Sequence, residues 1–290
     1  MNKKILVICG ATASGKSAYA IEQALKRNGI ILNADSMQIY KYIPILTAQP
    51  SKKDLSIVPH ELYGGVEIDA EFSVGKWLSL VVPRIKEILT IGKTPILVGG
   101  TGLYLKSLIE GFAVIPQISS ETKEYIADIR AKHTNSELHA MLETRDITLY
   151  NRLKTNDTKR ILRGLEVYHE TKKPLSEWQI SNHTSFFNRS LFSITLINPE
   201  RQVIYNNCNR RFIKMLENGA IEEVKFIMEN YPDIRYPEAI GLKEIISYLK
   251  NECTLKEATV KAQQLTRNYA KRQLTWLKHQ MKYDTMIEST

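Results

Sequence analysis

The 290-residue chain has little of what staples small domains or builds metal cages. Its three cysteines, Cys9, Cys208 and Cys253, are far apart and none sits in a C-x-x-C pair. That excludes a disulfide framework and a zinc knuckle, and leaves core packing as their reading. The six histidines, among them His60, His133, His139 and His169, show no ligand spacing, and none is a catalytic candidate. No apolar run approaches the roughly 18 residues of a membrane span and the N-terminus carries no apolar h-region, so a cytoplasmic protein without a membrane partner is expected. Repeats and low-complexity tracts are missing too. Acidic residues are in deficit, with 31 Asp and Glu against 40 Lys and Arg, a net charge of +9. Such an excess suits either a polyanionic partner or a solvated basic surface, and the placement of the charges must decide.

What is present begins with Lys4-Ile5-Leu6-Val7-Ile8-Cys9, a short apolar run with the composition of a buried parallel strand. It runs straight into Gly10-Ala11-Thr12-Ala13-Ser14-Gly15-Lys16-Ser17, and the segment from Ala18 to Leu25 has helical composition. A glycine-rich loop between strand and helix is the context of a P-loop. Its backbone N–H groups can surround a phosphate, Lys16 adds a mobile positive charge, and the Ser17 hydroxyl can bind Mg²⁺. The motif alone admits kinases and other ATP- or nucleotide-binding enzymes.

A second buried strand, Gly29 to Ala34, delivers Asp35-Ser36-Met37-Gln38 at its carboxyl end, the rim where open parallel sheets bind ligands. Asp35 is there either a site carboxylate or a helix N-cap or turn residue. Tyr40 to Pro59 is interrupted by Pro44, Pro50 and Pro59 and reads as loop; Val66 to Asp69 could form a short strand, and a helix from about Gly75 to Thr90 contains Pro83. Thr94 to Val98 is a third buried strand, followed by Gly99-Gly100-Thr101-Gly102, glycines that serve either a phosphate-side loop or close strand–helix packing.

From the break at Gly111 to Ser120 onward the hydrophobic period is helical until about Trp178. The expected architecture is therefore α/β, a P-loop parallel-sheet core formed by residues 1–112 and 187–290 with an inserted all-helical domain at 113–186. In the insert, Asn156 or Asp157 caps a helix that carries Lys159, Arg160 and Arg163 in its first turns. Cations there oppose the helix dipole, so an anionic partner explains them better than a solvated face. Leu191 to Ile197 returns as a core strand, and the helix after Pro199 carries Arg201, Arg210 and Arg211, which either clamp phosphates or form a basic surface. The last long helix, about Leu255 to Met281, places Arg267, Lys271, Lys278 and Lys282 on one stripe, with Leu265, Tyr269 and Trp276 on another face as anchors. No acid lies between Glu257 and Asp284, a pattern that tracks a phosphodiester backbone.

The phosphate loop, Ala34 to Tyr40, Leu97 to Tyr104, Asn156-Asp157 with Arg160 and Arg163, and Ala270-Lys271-Arg272-Gln273-Leu274-Thr275-Trp276 occur together and in order. In this the chain resembles the bacterial tRNA dimethylallyltransferases, also called tRNA isopentenyltransferases, over nearly its whole length. The resemblance implies transfer of a dimethylallyl group from dimethylallyl diphosphate to the exocyclic N6 amine of the adenine that follows the anticodon, with Mg²⁺ as the cofactor, the tRNA anticodon arm as partner and a monomeric enzyme. It implies Asp35 as the base, with Thr12 and Arg211 on the diphosphate. It also implies an RNA surface of Asp35, Ser36, Met37, Gln38, Thr101, Lys159, Arg160, Ile161, Leu162, Arg163, Lys271 and Lys278. Ala11 stands where the family usually has proline, and Tyr42 to Pro50 lacks the family's usual glycines and its lysine. A small-molecule or nucleotide kinase and a non-enzymatic RNA-binding switch are the alternatives.

Overall fold

The computed structural model describes residues 4–181 and 183–288. In chain order the first arm comprises β1 (Ile5–Gly10), α1 (Lys16–Arg27), β2 (Gly29–Asn33), α2 (Lys52–Ile57), β3 (His60–Glu61), α3 (Val74–Thr90), β4 (Thr94–Gly99) and α4 (Gly102–Glu110). The insert comprises β5 (Phe112–Ala113), α5 (Ser120–Lys132), α6 (Asn135–Ala140), α7 (Ile147–Arg152), α8 (Thr158–Thr171), α9 (Leu175–Ser181) and β6 (His183–Thr184). The chain returns through β7 (Phe192–Ile197), α10 (Arg201–Glu217), α11 (Ala220–Asn230), α12 (Leu242–Leu249), α13 (Leu255–Gln280) and β8 (Thr285–Ile287).

The first compact unit takes the chain up to Ile109 and again from Phe187. Its sheet runs in the order β3-β2-β4-β1-β7-β8 with every described pairing parallel. Strand β1 is central, so both its faces are covered and every residue is buried, which is why it reads as an unbroken apolar run. Leu6, Ile8, Ile31, Ile96 and Val98 pack against Ala20 and Ala24 of α1. Trp77 of α3, fully buried, stacks on Tyr104 at 4.8 Å and donates its indole N–H to Asn33 O at 2.8 Å, which pins the carboxyl end of β2.

Several details depart from the sequence expectations. Within the stretch read as loop, Ser51 and Asp54 form a capping box that starts α2 in spite of the neighbouring Pro50. Val66 makes an isolated bridge to Tyr40, and the edge strand is instead the two-residue β3. Strand β8 was not anticipated; at three residues it is too short to carry a readable period.

The second unit is Glu110–Phe186, so the first junction falls at 109/110 where 112/113 was expected. The reason is that Phe112 and Ala113 pair antiparallel with Thr184 and His183 rather than joining the main sheet. The insert is thus helical with a two-stranded stem. Its core gathers Ile126, Leu138, Leu142, Leu149, Ile161, Leu165 and Leu175. Asp146, also buried, caps α7 and accepts from both the backbone N–H and the hydroxyl of Ser176, tying α9 to α7.

Candidate active site

The phosphate loop leaves β1 at Gly10 and enters α1 at Lys16. Ala13 and Gly15 hold φ of 61° and 91°, the left-handed turns that fold the loop over itself. Ala11, fully buried, accepts through its carbonyl from Ser14 N–H at 3.3 Å and from Lys16 Nζ at 2.6 Å. Ser14 Oγ is buried without a hydrogen-bond partner in the protein. An orphaned hydroxyl inside a phosphate loop suits a loop built to meet ligand oxygens. Burial pulls the Lys16 ammonium down to about 8, with Asp35 opposing and Arg211 reinforcing the fall.

Asp35 follows β2 in an Asx turn and caps no helix: its Oδ1 accepts from Met37 N–H at 3.0 Å. Asn33, itself fully buried, accepts from Asp35 N–H at 2.8 Å through Oδ1. Its Nδ2 donates to Asp35 O and to Leu62 O, each at 3.0 Å. Thr101 Oγ1 accepts from Ser36 N–H at 3.0 Å, so the loop after β4 fixes the loop after β2. Of the arginines on α10, Arg211 donates to Thr12 Oγ1, whereas Arg210 is exposed and bonds Asn207, and Arg201 is exposed on another groove.

These groups converge on a cavity of about 330 Å³. Thr12, Asp35 and Arg211 are among its polar lining residues, and Leu46, Phe212, Met215, Ala239 and Ile240 supply its apolar lining. Its lining sets Arg211 and Arg272 against Asp35 and Glu238, with Lys16 close enough to interact electrostatically with both Asp35 and Arg211. Burial lowers Arg211 while Cys208 and Asp35 raise it. Burial pushes the Cys208 thiol upward against the pull of Arg211, so this side chain lines the cavity as a neutral group. Tyr269 also lines the cavity, its phenol held above the ordinary range by burial and by Asp35. A larger groove of about 550 Å³ runs between α10 and α13 along Arg201, Lys271 and Lys278 and contains neither Asp35 nor any phosphate-loop residue.

Gln273 and Asn33 organise this site without having been singled out from the sequence. Gln273 accepts from Thr12 N–H at 2.7 Å and donates to Gly100 O at 3.1 Å, joining the two glycine-rich loops. Its signal was a polar residue in phase with the buried Ala270 and Leu277. The glycines after β4 serve close packing: a Cβ on Gly100 would lie 2.2 Å from Gln273 Nε2, and one on Gly102 2.1 Å from the Trp276 ring. Gln38 lies outside the cavity lining; its amide donates to Thr47 O at 2.9 Å and Ala48 O at 2.7 Å.

The basic helices are less uniform than the sequence pattern. On α13, Lys271 and Lys278 are exposed, but Arg267 donates to Asn209 at 2.6 Å and Lys282 lies beyond the helix end. The buried seam of α13 is made by Ala258, Ala262, Thr266, Ala270, Gln273 and Leu277, its alanines letting α10 and α12 approach closely, while Leu265, Tyr269 and Trp276 are half-buried. On α8, Arg160 pairs with Asp157 at 3.4 Å and Arg163 with Glu166 at 3.2 Å, so both have local counter-ions. Ile161 is fully buried and Leu162 packs on the insert's core, which removes Ile161 from any RNA surface. The Ser17 hydroxyl is on an exposed residue beside Asp54 and His60 in a small hollow. Among the described residues no group of three or more His, Cys, Asp or Glu could cage a metal, so a Mg²⁺ at Ser17 would take its other oxygens from the diphosphate and water, its common habit.

Similarity to known proteins agrees with this arrangement. A tRNA dimethylallyltransferase of Rickettsia massiliae is 41% identical over 99% of this chain and 80% of its own, and that of Wolbachia pipientis is 41% identical over 99% and 96%. The solved tRNA isopentenylpyrophosphate transferase of Bacillus halodurans superposes with a TM-score of 0.70 at 30% identity, covering 99% of this chain and 90% of that one. A eukaryotic dimethylallyltransferase solved acting on tRNA gives a TM-score of 0.80 at 27% identity, covering 95% and 70%. The family model described as IPP transferase matches residues 38–280, and the chain belongs to that family.

Proposed function

We propose that the protein transfers a dimethylallyl group from dimethylallyl diphosphate to the N6 amine of the adenine following the anticodon of tRNA, releasing diphosphate. The observation that carries this reading is one cavity lined both by the phosphate-loop Thr12, Arg211 and Asp35 and by the apolar Leu46, Phe212, Met215 and Ile240. An allylic diphosphate has this division of polarity. Its anionic head suits Gly10 to Ser17 and Arg211, and its hydrocarbon end suits the apolar lining.

The adenine amine is a weak nucleophile because its lone pair is delocalised into the ring. Asp35 takes its proton as the new N–C bond forms and the C–O bond to diphosphate breaks. Charge gathers on the departing diphosphate, where Lys16, Arg211, the Thr12 hydroxyl and the N–H groups opening α1 stabilise it. Mg²⁺ at Ser17 supplies further neutralisation when bound. An adenine stacked in the anticodon loop cannot reach Asp35, so the base is flipped outward, past Ser36 and Met37. Lys271 and Lys278 of α13, and Lys159, Arg160 and Arg163 of α8, hold the anticodon arm through its phosphates.

Purified protein with Mg²⁺, dimethylallyl diphosphate and unmodified tRNA should yield N6-prenylated adenine. Asp35→Ala should lower the rate by a factor of about 10² or more while tRNA affinity stays within about twofold. Retained transfer in that variant would remove Asp35 from the mechanism. ATP-dependent phosphate transfer in place of prenylation would restore the kinase alternative.

A further inference from the structure

We infer that Glu223 of α11 is a positioning residue for the hydrocarbon end of the substrate, acting by gripping the loop that supplies Leu46 to the apolar lining of the cavity. The inference rests on the prenyl-transfer reading above. Glu223 accepts from Ile45 N–H at 2.8 Å and Leu46 N–H at 2.9 Å, a carboxylate spanning consecutive backbone donors. Leu46 and Thr47 line the same cavity as Thr12, Asp35 and Arg211. Glu223 is not itself on the lining, so it reaches the cavity only through the backbone it holds, at Leu46 and the adjoining Thr47.

The loop needs such a grip. Tyr42 and Ala48 hold φ of 66° and 54°, left-handed values that non-glycine residues adopt at a cost. The aromatic ring of Tyr42 is held 5.6 Å from Phe226 of α11 and 5.3 Å from Tyr231. Gln38 secures the far side by donating to Thr47 O and Ala48 O. Helix α11 thus supplies both an aromatic anchor and a carboxylate anchor, and only the carboxylate acts on the residues that touch the cavity. Burial pushes the Glu223 carboxyl up to about 7, against the two backbone N–H donors that favour its charged form.

The test uses the full-length protein with Glu223→Ala, Glu223→Gln, Leu46→Ala and the Glu223→Ala/Leu46→Ala double variant. Steady-state kinetics should show Glu223→Ala raising KM for dimethylallyl diphosphate about tenfold, with kcat, KM for tRNA and affinity for inorganic diphosphate within about twofold. Glu223→Gln keeps one acceptor oxygen and should recover part of the loss; it also decides the matter if Glu223→Ala does not fold. Because Glu223 acts through Leu46, the double variant should be little worse than Leu46→Ala. Additive effects, or equal losses for inorganic and allylic diphosphate, overturn the inference. A wild-type protein that transfers no dimethylallyl group overturns the underlying reading instead, whereas an active wild type with unchanged Glu223 variants overturns only the role of Glu223.

Discussion

Gln273 lies on the buried seam of α13 between Ala270 and Leu277, where packing alone would favour an apolar side chain. It is polar because Thr12 N–H and Gly100 O would otherwise have no partner at the meeting of two loops. Gln273→Leu leaves both unsatisfied at about 1–3 kcal/mol each, so the melting temperature should fall by roughly 4–10 °C. The same variant should lower kcat/KM for dimethylallyl diphosphate by at least about tenfold, since Thr12 loses its register with Arg211. Scanning calorimetry and steady-state rates check the two effects. Lys16 gives a prediction of definite sign. Its ammonium, lowered to about 8 in the free protein, gains an anionic partner when diphosphate binds, so the bound state raises its pKa. Affinity for diphosphate should be flat below pH 8 and fall as pH rises above it, with proton uptake on binding. Calorimetric titration in buffers of different ionisation enthalpy measures that uptake, and constant affinity up to pH 10 would contradict it.

At the scale of elements, the helices that bracket the site do separate tasks. The capping box of Thr254 and Glu257 starts α13, and its alanine seam brings it close to α10 and α12, so that Gln273 and Tyr269 arrive beside Thr12 and Asp35 while Lys271 and Lys278 remain outside. Lys271→Ala with Lys278→Ala should weaken tRNA binding and reduce the salt slope by about 2, leaving the KM for dimethylallyl diphosphate unchanged. An unchanged slope would take α13 off the RNA surface. The helical period and caps make this helix readable from the sequence, but its anchors are only part of its packing. Trp276 does pack against Gly102 and Tyr269 reaches the cavity, but the fully buried seam beside them is rich in alanines whose value lies in close backbone approach, which hydrophobic pattern alone ranks low. The strands β3 and β8 escaped for a different reason: edge strands of two and three residues have no period to detect.

For the whole molecule, the insert is a unit with its own core, and its stem pairs β5 with β6, so the chain leaves and re-enters within one strand spacing, about 5 Å. Replacing residues 110–186 by a short Gly-Ser linker should therefore leave the sheet and its diphosphate affinity intact while weakening tRNA binding by about tenfold or more. Isothermal titration with each ligand tests this, and loss of diphosphate affinity would show that the phosphate loop depends on the insert. The sequence by itself determined the parallel core, the phosphate loop, the insert and the family resemblance, because buried strands, glycine-rich loops and helical periods are local and leave local patterns. Tertiary structure alone decided that Arg211 bonds Thr12 directly, that Gln273 joins the two glycine-rich loops, that Asn33 ties the Asp35 turn to Leu62, that Ile161 belongs to a core, and that Glu223 reaches across to Leu46. Those pairings join residues far apart in the chain, and a hydrogen bond between them is set by how helices and sheet pack rather than by any spacing along the sequence.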